Sequence, residues 1–272
     1  AVRAAMMAPV TADASARLAN RTISFDEMAP VGAPGTLAGI GPLGVLGIEQ
    51  VEFGNGVRAM LWANDAEPGR VAVRVRFGAG YRGFTADNAV YAALGKMALV
   101  GSGVGELGQD DLDRIATGRK LGFDFEIDEG VFTFSAQTRQ ADLADQLYLF
   151  AAKLGMPRWD ANPVLRARAG AELAYESFAT SPGGVLGRDL EYLIRNRDAR
   201  FATPDKAALA AATPEGFRKA WEPLLAQGPV EVAIFGEFDR DKAIEALRKT
   251  FGALPPRQPL PPSVSNRVTS FP

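Results

Sequence analysis

The stretch Val71-Ala72-Val73-Arg74-Val75-Arg76-Phe77 alternates strictly between apolar residues and small or charged ones. Successive side chains of a β-strand point to opposite faces. Val71, Val73, Val75 and Phe77 therefore share one face and Arg74 and Arg76 the other, the pattern of a half-buried strand. Just upstream, two short apolar runs, Ile48–Phe53 and Val57–Trp62, are joined by Gly54-Asn55-Gly56. Asn and Gly tolerate positive φ, so this reads as a hairpin. Downstream, Phe123–Ile127 and Val131–Gln137 read as a second hairpin around Asp128-Glu129-Gly130, and Val230–Phe235 as a last strand.

Between and after these strands the apolar spacing becomes helical. Helices are expected over 86–100, with Val90, Leu94 and Met97 as the apolar stripe, and over 110–117, ended by Gly118. Further helices are expected over 141–154, 162–178, 184–195 and 239–251. Thr213-Pro214-Glu215 opens one more, with a capping threonine, a proline in the first turn and an acid facing the helix dipole. Hairpins imply antiparallel pairing, and helices segregated from strands imply an α+β fold. The expected architecture is a two-layer sandwich in which a mostly antiparallel sheet is packed by helices. The regular βαβ alternation of a dinucleotide fold is missing.

The flanks differ in character. Residues 1–24 are Ala-rich and expected to be helical, and 25–47 are rich in Gly and Pro and expected to be irregular. The longest apolar stretch, Leu37 to Ile48, is broken by four glycines and Pro42, too short and interrupted to span a bilayer, and reads as a surface loop. Pro255, Pro256, Pro259, Pro261 and Pro262 read as an interdomain linker. The chain opens on Ala1 rather than Met and reads as a segment of a longer polypeptide. The expected organisation is a linker and extension over 1–47, an α+β domain over 48–257, and a linker to a following domain over 258–272.

Composition narrows the chemistry. With 47% hydrophobic residues among 272 and a formal charge of −2, the chain can bury a core but projects no field toward nucleic acid or an anionic membrane. It contains no cysteine and no histidine. Thiolate nucleophiles, Ser-His-Asp hydrolysis and the usual nitrogen and sulfur ligands of zinc are therefore excluded. The remaining candidates read as structural. The glycine-rich run Gly101 to Gly108 follows a helix rather than a strand, so it is not a dinucleotide loop, and Gly95-Lys96 is followed by Met97, which breaks a Walker motif. Asp110, Asp111 and Asp113 open a helix, and Glu126, Asp128 and Glu129 surround a turn. Ser102 with Lys96 is a conceivable nucleophile pair without a nucleophile-elbow context.

The run Phe53-Gly54-Asn55-Gly56-Val57-Arg58, with the strand ending Phe77-Gly78-Ala79-Gly80, resembles the opening of pitrilysin/insulinase and mitochondrial processing-peptidase domains. Later matches are Gly101-Ser102, Asp142-Leu143, Asp198-Ala199-Arg200-Phe201, Val232 to Asp239 and Phe251 to Pro255. In that family a helix carries H-x-x-E-H, which binds zinc and supplies the general base. Counting back from Gly101-Ser102, those positions hold Ala92-Ala93-Leu94-Gly95-Lys96. Both imidazoles are replaced, by Ala92 and Lys96, and the base by Gly95. The family's third ligand maps onto Glu172, for which a pairing with Lys96 is an expectation. The resemblance thus implies a non-catalytic domain from the C-terminal half of a long bacterial zinc metallopeptidase. It would form a chamber wall and enclose an unfolded peptide substrate, beside other peptidase domains of the same polypeptide. No metal or other cofactor is expected in this stretch, with zinc and hydrolysis in a separate domain. The bacterial periplasm is favoured over the cytoplasm. The alternative is a free-standing, non-enzymatic assembly or binding module of the same fold.

Overall fold

The structure, a computed structural model, describes residues 25–44 and 46–272. The expected helix over 1–24 lies outside them. Seven strands form one sheet in the order β1-β2-β3-β7-β4-β6-β5: β1 (Leu37–Leu43), β2 (Ile48–Phe53), β3 (Arg58–Ala63), β4 (Val71–Phe77), β5 (Asp124–Ile127), β6 (Phe132–Thr138) and β7 (Val230–Gly236). All neighbours are antiparallel except β3 and β7.

Strand β4 buries Val71, Val73, Val75 and Phe77 and exposes Ala72, Arg74 and Arg76, as its alternation requires. On the open face Arg58 and Arg76 reach Glu231 at 2.8 and 3.8 Å, and Trp62 meets Phe235 edge-on at 5.0 Å. The helices are α1 (Ala89–Val100), α2 (Gln109–Ala116), α3 (Leu143–Gly155), α4 (Ala161–Phe178), α5 (Pro182–Ile194), α6 (Lys206–Ala211), α7 (Pro214–Ala226), α8 (Arg240–Lys249) and α9 (Pro262–Ser265), of which α1 and α3 approach the strands most closely while α5 and α9 bury no residue. Phe77, Phe84, Phe132, Phe134, Phe150, Phe217 and Trp221 are fully buried between the layers. Each such ring removes on the order of 150–250 Å² from water, which makes this cluster the main cohesive element of the fold.

The Gly54-Asn55-Gly56 turn forms as read, with Gly56 at φ +87°. Asn55 Nδ2 also donates to the carbonyls of Phe251, Gly252 and Leu254 at 2.8, 3.1 and 3.0 Å, tying the hairpin to the chain after α8. The helix caps also follow the sequence. The Thr213 side chain accepts from Gly216 N, and that of Asp239 from Asp241 N and Lys242 N.

One reading is corrected, and one stretch is found docked. Leu37–Leu43, read as a loop, is strand β1, paired with β2 along its length despite Gly39, Gly41 and Pro42. It is an edge strand, so the N–H that Pro42 lacks is not needed by a second neighbour. The Pro-rich run at 255–262 lies against the domain. Arg257 donates to the carbonyls of Gln227 and Gly228 at 2.6 and 3.1 Å, and Gln258 N to Ala226 O at 3.3 Å.

Candidate functional site

Thr85 and Asn88 cap the turn that leads into α1, with Asn88 Oδ1 accepting from Thr85 N at 2.7 Å. The helix then carries residues 92–96 into the interface with α4 and α7. Ala92 is 1% exposed and offers only a methyl group. Gly95 lies under Trp221 of α7, where a Cβ would come within 2.2 Å of indole Cζ2. Trp221 is 0% exposed and its indole N–H donates to Tyr91 O at 2.8 Å, so the ring is fixed at both ends. Lys96 faces solvent.

Glu172, on α4, sits 3.7 Å from Arg168 one turn earlier. No ion pair joins it to Lys96 among the described residues, which corrects that expectation. The ordinary i,i+4 spacing on one helix is satisfied instead.

Ser102 is equally unsuited to nucleophilic chemistry. It is buried, and its Oγ donates back to Ala98 O at 2.5 Å. The lysine beside it is Lys153 of α3, whose ammonium donates to Leu99 O at 2.8 Å, Val100 O at 3.3 Å and Ser102 O. It also sits 4.8 Å from the Phe123 ring centre. Burial pulls its pKa down to about 7. The carbonyls, the ring and the negative end of α1 act the other way, favouring the charged form. No sequence signal distinguished this lysine from other helical lysines.

The acidic clusters are structural. Asp111 accepts from Gly108 N at 3.3 Å, closing the start of α2, and Asp113 accepts from Gln109 Nε2 at 2.8 Å. Glu129 faces Arg82 at 3.7 Å. Among the described residues no three Asp or Glu side chains converge to hold a metal ion. The residues at 92, 95 and 96 do not fit zinc either. They offer a methyl group, a position filled by indole, and a cation.

Beside this site, between α1, α4, α5 and the segment 199–204, lies a cavity of about 550 Å³. Its lining sets Ala93, Ala171 and Phe201 beside three arginines, Arg188, Arg195 and Arg200, and three acids, Asp128, Glu129 and Glu191. Sequence reading singled out Arg200-Phe201 only as part of a family match and missed the cavity, because its walls come from segments spread from Tyr81 to Leu209.

No family model and no curated protein matches the chain. Solved structures do. The ferredoxin protease FusC, crystallised as a point mutant with Arabidopsis ferredoxin, superposes with TM-score 0.72 at 18% identity over 90% of this chain and 26% of its own. The periplasmic protease PqqL from Escherichia coli gives TM-score 0.72 at 17% identity over 86% of this chain and 26% of its own. A peptidase M16 inactive domain from Pseudomonas fluorescens gives 0.63 at 19% identity, over 79% of this chain and 53% of its own. The chain thus spans about a quarter of the length of FusC and PqqL. No described helix is long and apolar enough to cross a membrane. With its mixed seven-stranded sheet packed by helices, the chain has the fold of the pitrilysin-like M16 peptidase domains.

Proposed function

We propose that this chain is a non-catalytic domain of a pitrilysin-type zinc metallopeptidase, forming part of a chamber wall around a peptide that a separate H-x-x-E-H domain hydrolyses. The observation that carries this reading is the Gly95–Trp221 packing. The position that would hold the general base has no room for any side chain, and its neighbours Ala92 and Lys96 bring no metal-binding nitrogen lone pair at neutral pH. The quarter-length coverage of FusC and PqqL supports the presence of sister domains in the same polypeptide, one of them carrying the zinc. We assign the peptidase-like unit to residues 48–257, with strand β1 of the preceding stretch added at the edge of its sheet, and take the flanking stretches to lead from and to other domains. The ferredoxin bound in the FusC crystal supports a polypeptide as the enclosed ligand, and the periplasmic protease PqqL supports a periplasmic home.

The test is metal analysis of the purified chain, with a chelator-sensitive cleavage assay on casein-like peptides and a peptide-binding assay. The expected result is binding without cleavage and no stoichiometric zinc. Zinc at one equivalent per chain, or chelator-sensitive cleavage, overturns the reading.

A further inference from the structure

The cavity beside α1 is lined by groups whose hydrogen-bonding capacity is unevenly used. Helix α5 ends at Ile194, and Asn196 and Arg197 follow at φ 52° and 59°, two consecutive non-glycine residues in the left-handed region. This turn, held by Arg197 N donating to Tyr192 O at 2.8 Å, swings the chain back so that Arg195 and Arg200 both approach Phe201. Their guanidinium carbons lie 4.4 and 5.6 Å from its ring centre, and Tyr81 stacks against the same ring at 4.6 Å.

Each of these arginines has one carboxylate partner. Arg195 Nη1 donates to Glu191, and Arg200 donates through Nε and Nη2 to Asp198. The carboxylates are thereby engaged, and the Arg200 guanidinium holds the Asp198 carboxyl below its usual pKa. The donors are not exhausted. Among the described residues Arg195 Nε and Arg200 Nη1 are buried without an acceptor, and Arg200 is only 7% exposed. A guanidinium offers five N–H groups, and leaving one unmet in a buried wall is unfavourable. A turn of either side chain toward the cavity, whose own acids Glu191 and Glu129 already face Arg195 and Arg82, presents these donors to an acceptor, preferably an anionic one, which gains most from a partly desolvated guanidinium.

We propose that this cavity binds a carboxylate carried by an extended peptide, with Arg195 and Arg200 as donors and the adjoining apolar residue against Tyr81 and Phe201. The proposal rests on the peptide-enclosing role given above and specifies what that wall recognises. The carboxylate has two possible sources, an internal Glu or Asp and a free chain terminus.

The test uses the 272-residue chain and fluorescein-labelled unstructured decapeptides read by anisotropy. One peptide carries an internal Phe-Glu, its control Phe-Gln, a third ends in Phe with a free carboxylate, and its control ends in the amide. At least one acid-bearing peptide is expected to bind about tenfold tighter than its control, and which one does so identifies the source. Arg195→Gln and Arg200→Gln should each abolish that preference. If Arg200→Gln fails to fold, Arg195→Gln and the wild-type comparison decide. Equal binding of acids and controls overturns the carboxylate proposal while leaving peptide enclosure intact. Absence of binding by all four peptides overturns both. A preference that survives Arg195→Gln removes this cavity as its cause.

Discussion

Gly95 and Trp221 occupy each other's space: the indole Cζ2 stands 2.2 Å from where any Cβ at position 95 would be placed. An alanine in mid-helix is ordinarily favoured over glycine by roughly 1 kcal/mol. Here the added methyl must displace a ring that is fully buried and tethered to Tyr91 O. Overpacking of this kind costs about 1–3 kcal/mol. Gly95→Ala is therefore expected to lower stability in urea denaturation, and Trp221→Phe to reduce that loss when combined with it, giving a non-additive double-mutant cycle. A stabilised Gly95→Ala protein would show that the indole moves aside at little cost.

Introducing an H-x-x-E-H motif into α1 should fail for the same reason. In Ala92→His, Gly95→Glu, Lys96→His, the glutamate has to enter the space of Trp221, and the first histidine has to enter a buried site now fitted to a methyl group. Glu172 stays beside Arg168. The expected outcome is a destabilised protein with less than one equivalent of zinc after dialysis and no chelator-sensitive cleavage. Activity in this variant would mean that the helical layer tolerates a functional centre.

Asn55 links the hairpin that opens the sheet to the end of α8. Its amide nitrogen serves three carbonyls, those of Phe251, Gly252 and Leu254, with only two hydrogens. Asn55→Ala leaves these acceptors without that donor and is expected to cost about 1–3 kcal/mol, measured as a lower urea midpoint. Asn55→Asp should cost at least as much, since a carboxylate would face three carbonyl oxygens. Unchanged midpoints in both variants would show that solvent replaces the donor freely.

These cases also show what could be read from residues alone. Strand β4 and the Asn-Gly turn were legible because strict alternation and positive-φ residues leave few alternatives, and the structure buries the expected β4 face. Strand β1 was not legible, since four glycines and Pro42 across 37–48 carry the composition of a loop and only pairing with β2 holds Leu37–Leu43 extended. The central place of β7, parallel to β3 and antiparallel to β4, was also hidden. Alternation fixes which face of a strand is buried but not which strands flank it. At the candidate site, the loss of imidazole was plain from composition. The reason Gly95 in particular stands there was not, because Trp221 lies far along the chain and its approach is a tertiary event.

Lys153 gives a pH-dependent prediction. Burial brings its folded-state pKa from 10.5 down to about 7, while an unfolded chain keeps the higher value. Between those limits the unfolded state binds the proton and the folded state does not, so stability should rise with pH across the window, at no more than about 1.4 kcal/mol per pH unit. Below about pH 7 both states are protonated and the penalty of burying the charge is fully present. The window is unusually clean because the chain has no histidine and no cysteine, the side chains that ordinarily titrate there. Burial raises the pKa of Tyr81 and Tyr148, which keeps them neutral throughout it. Urea midpoints measured from pH 7 to 9.5 should therefore climb in the wild type and stay level in Lys153→Met, whatever that substitution costs through the unmet carbonyls of Leu99, Val100 and Ser102. A flat wild-type profile would mean that those oxygens and the Phe123 ring hold the ammonium charged, with Lys153 acting as a permanent cationic cap on α1.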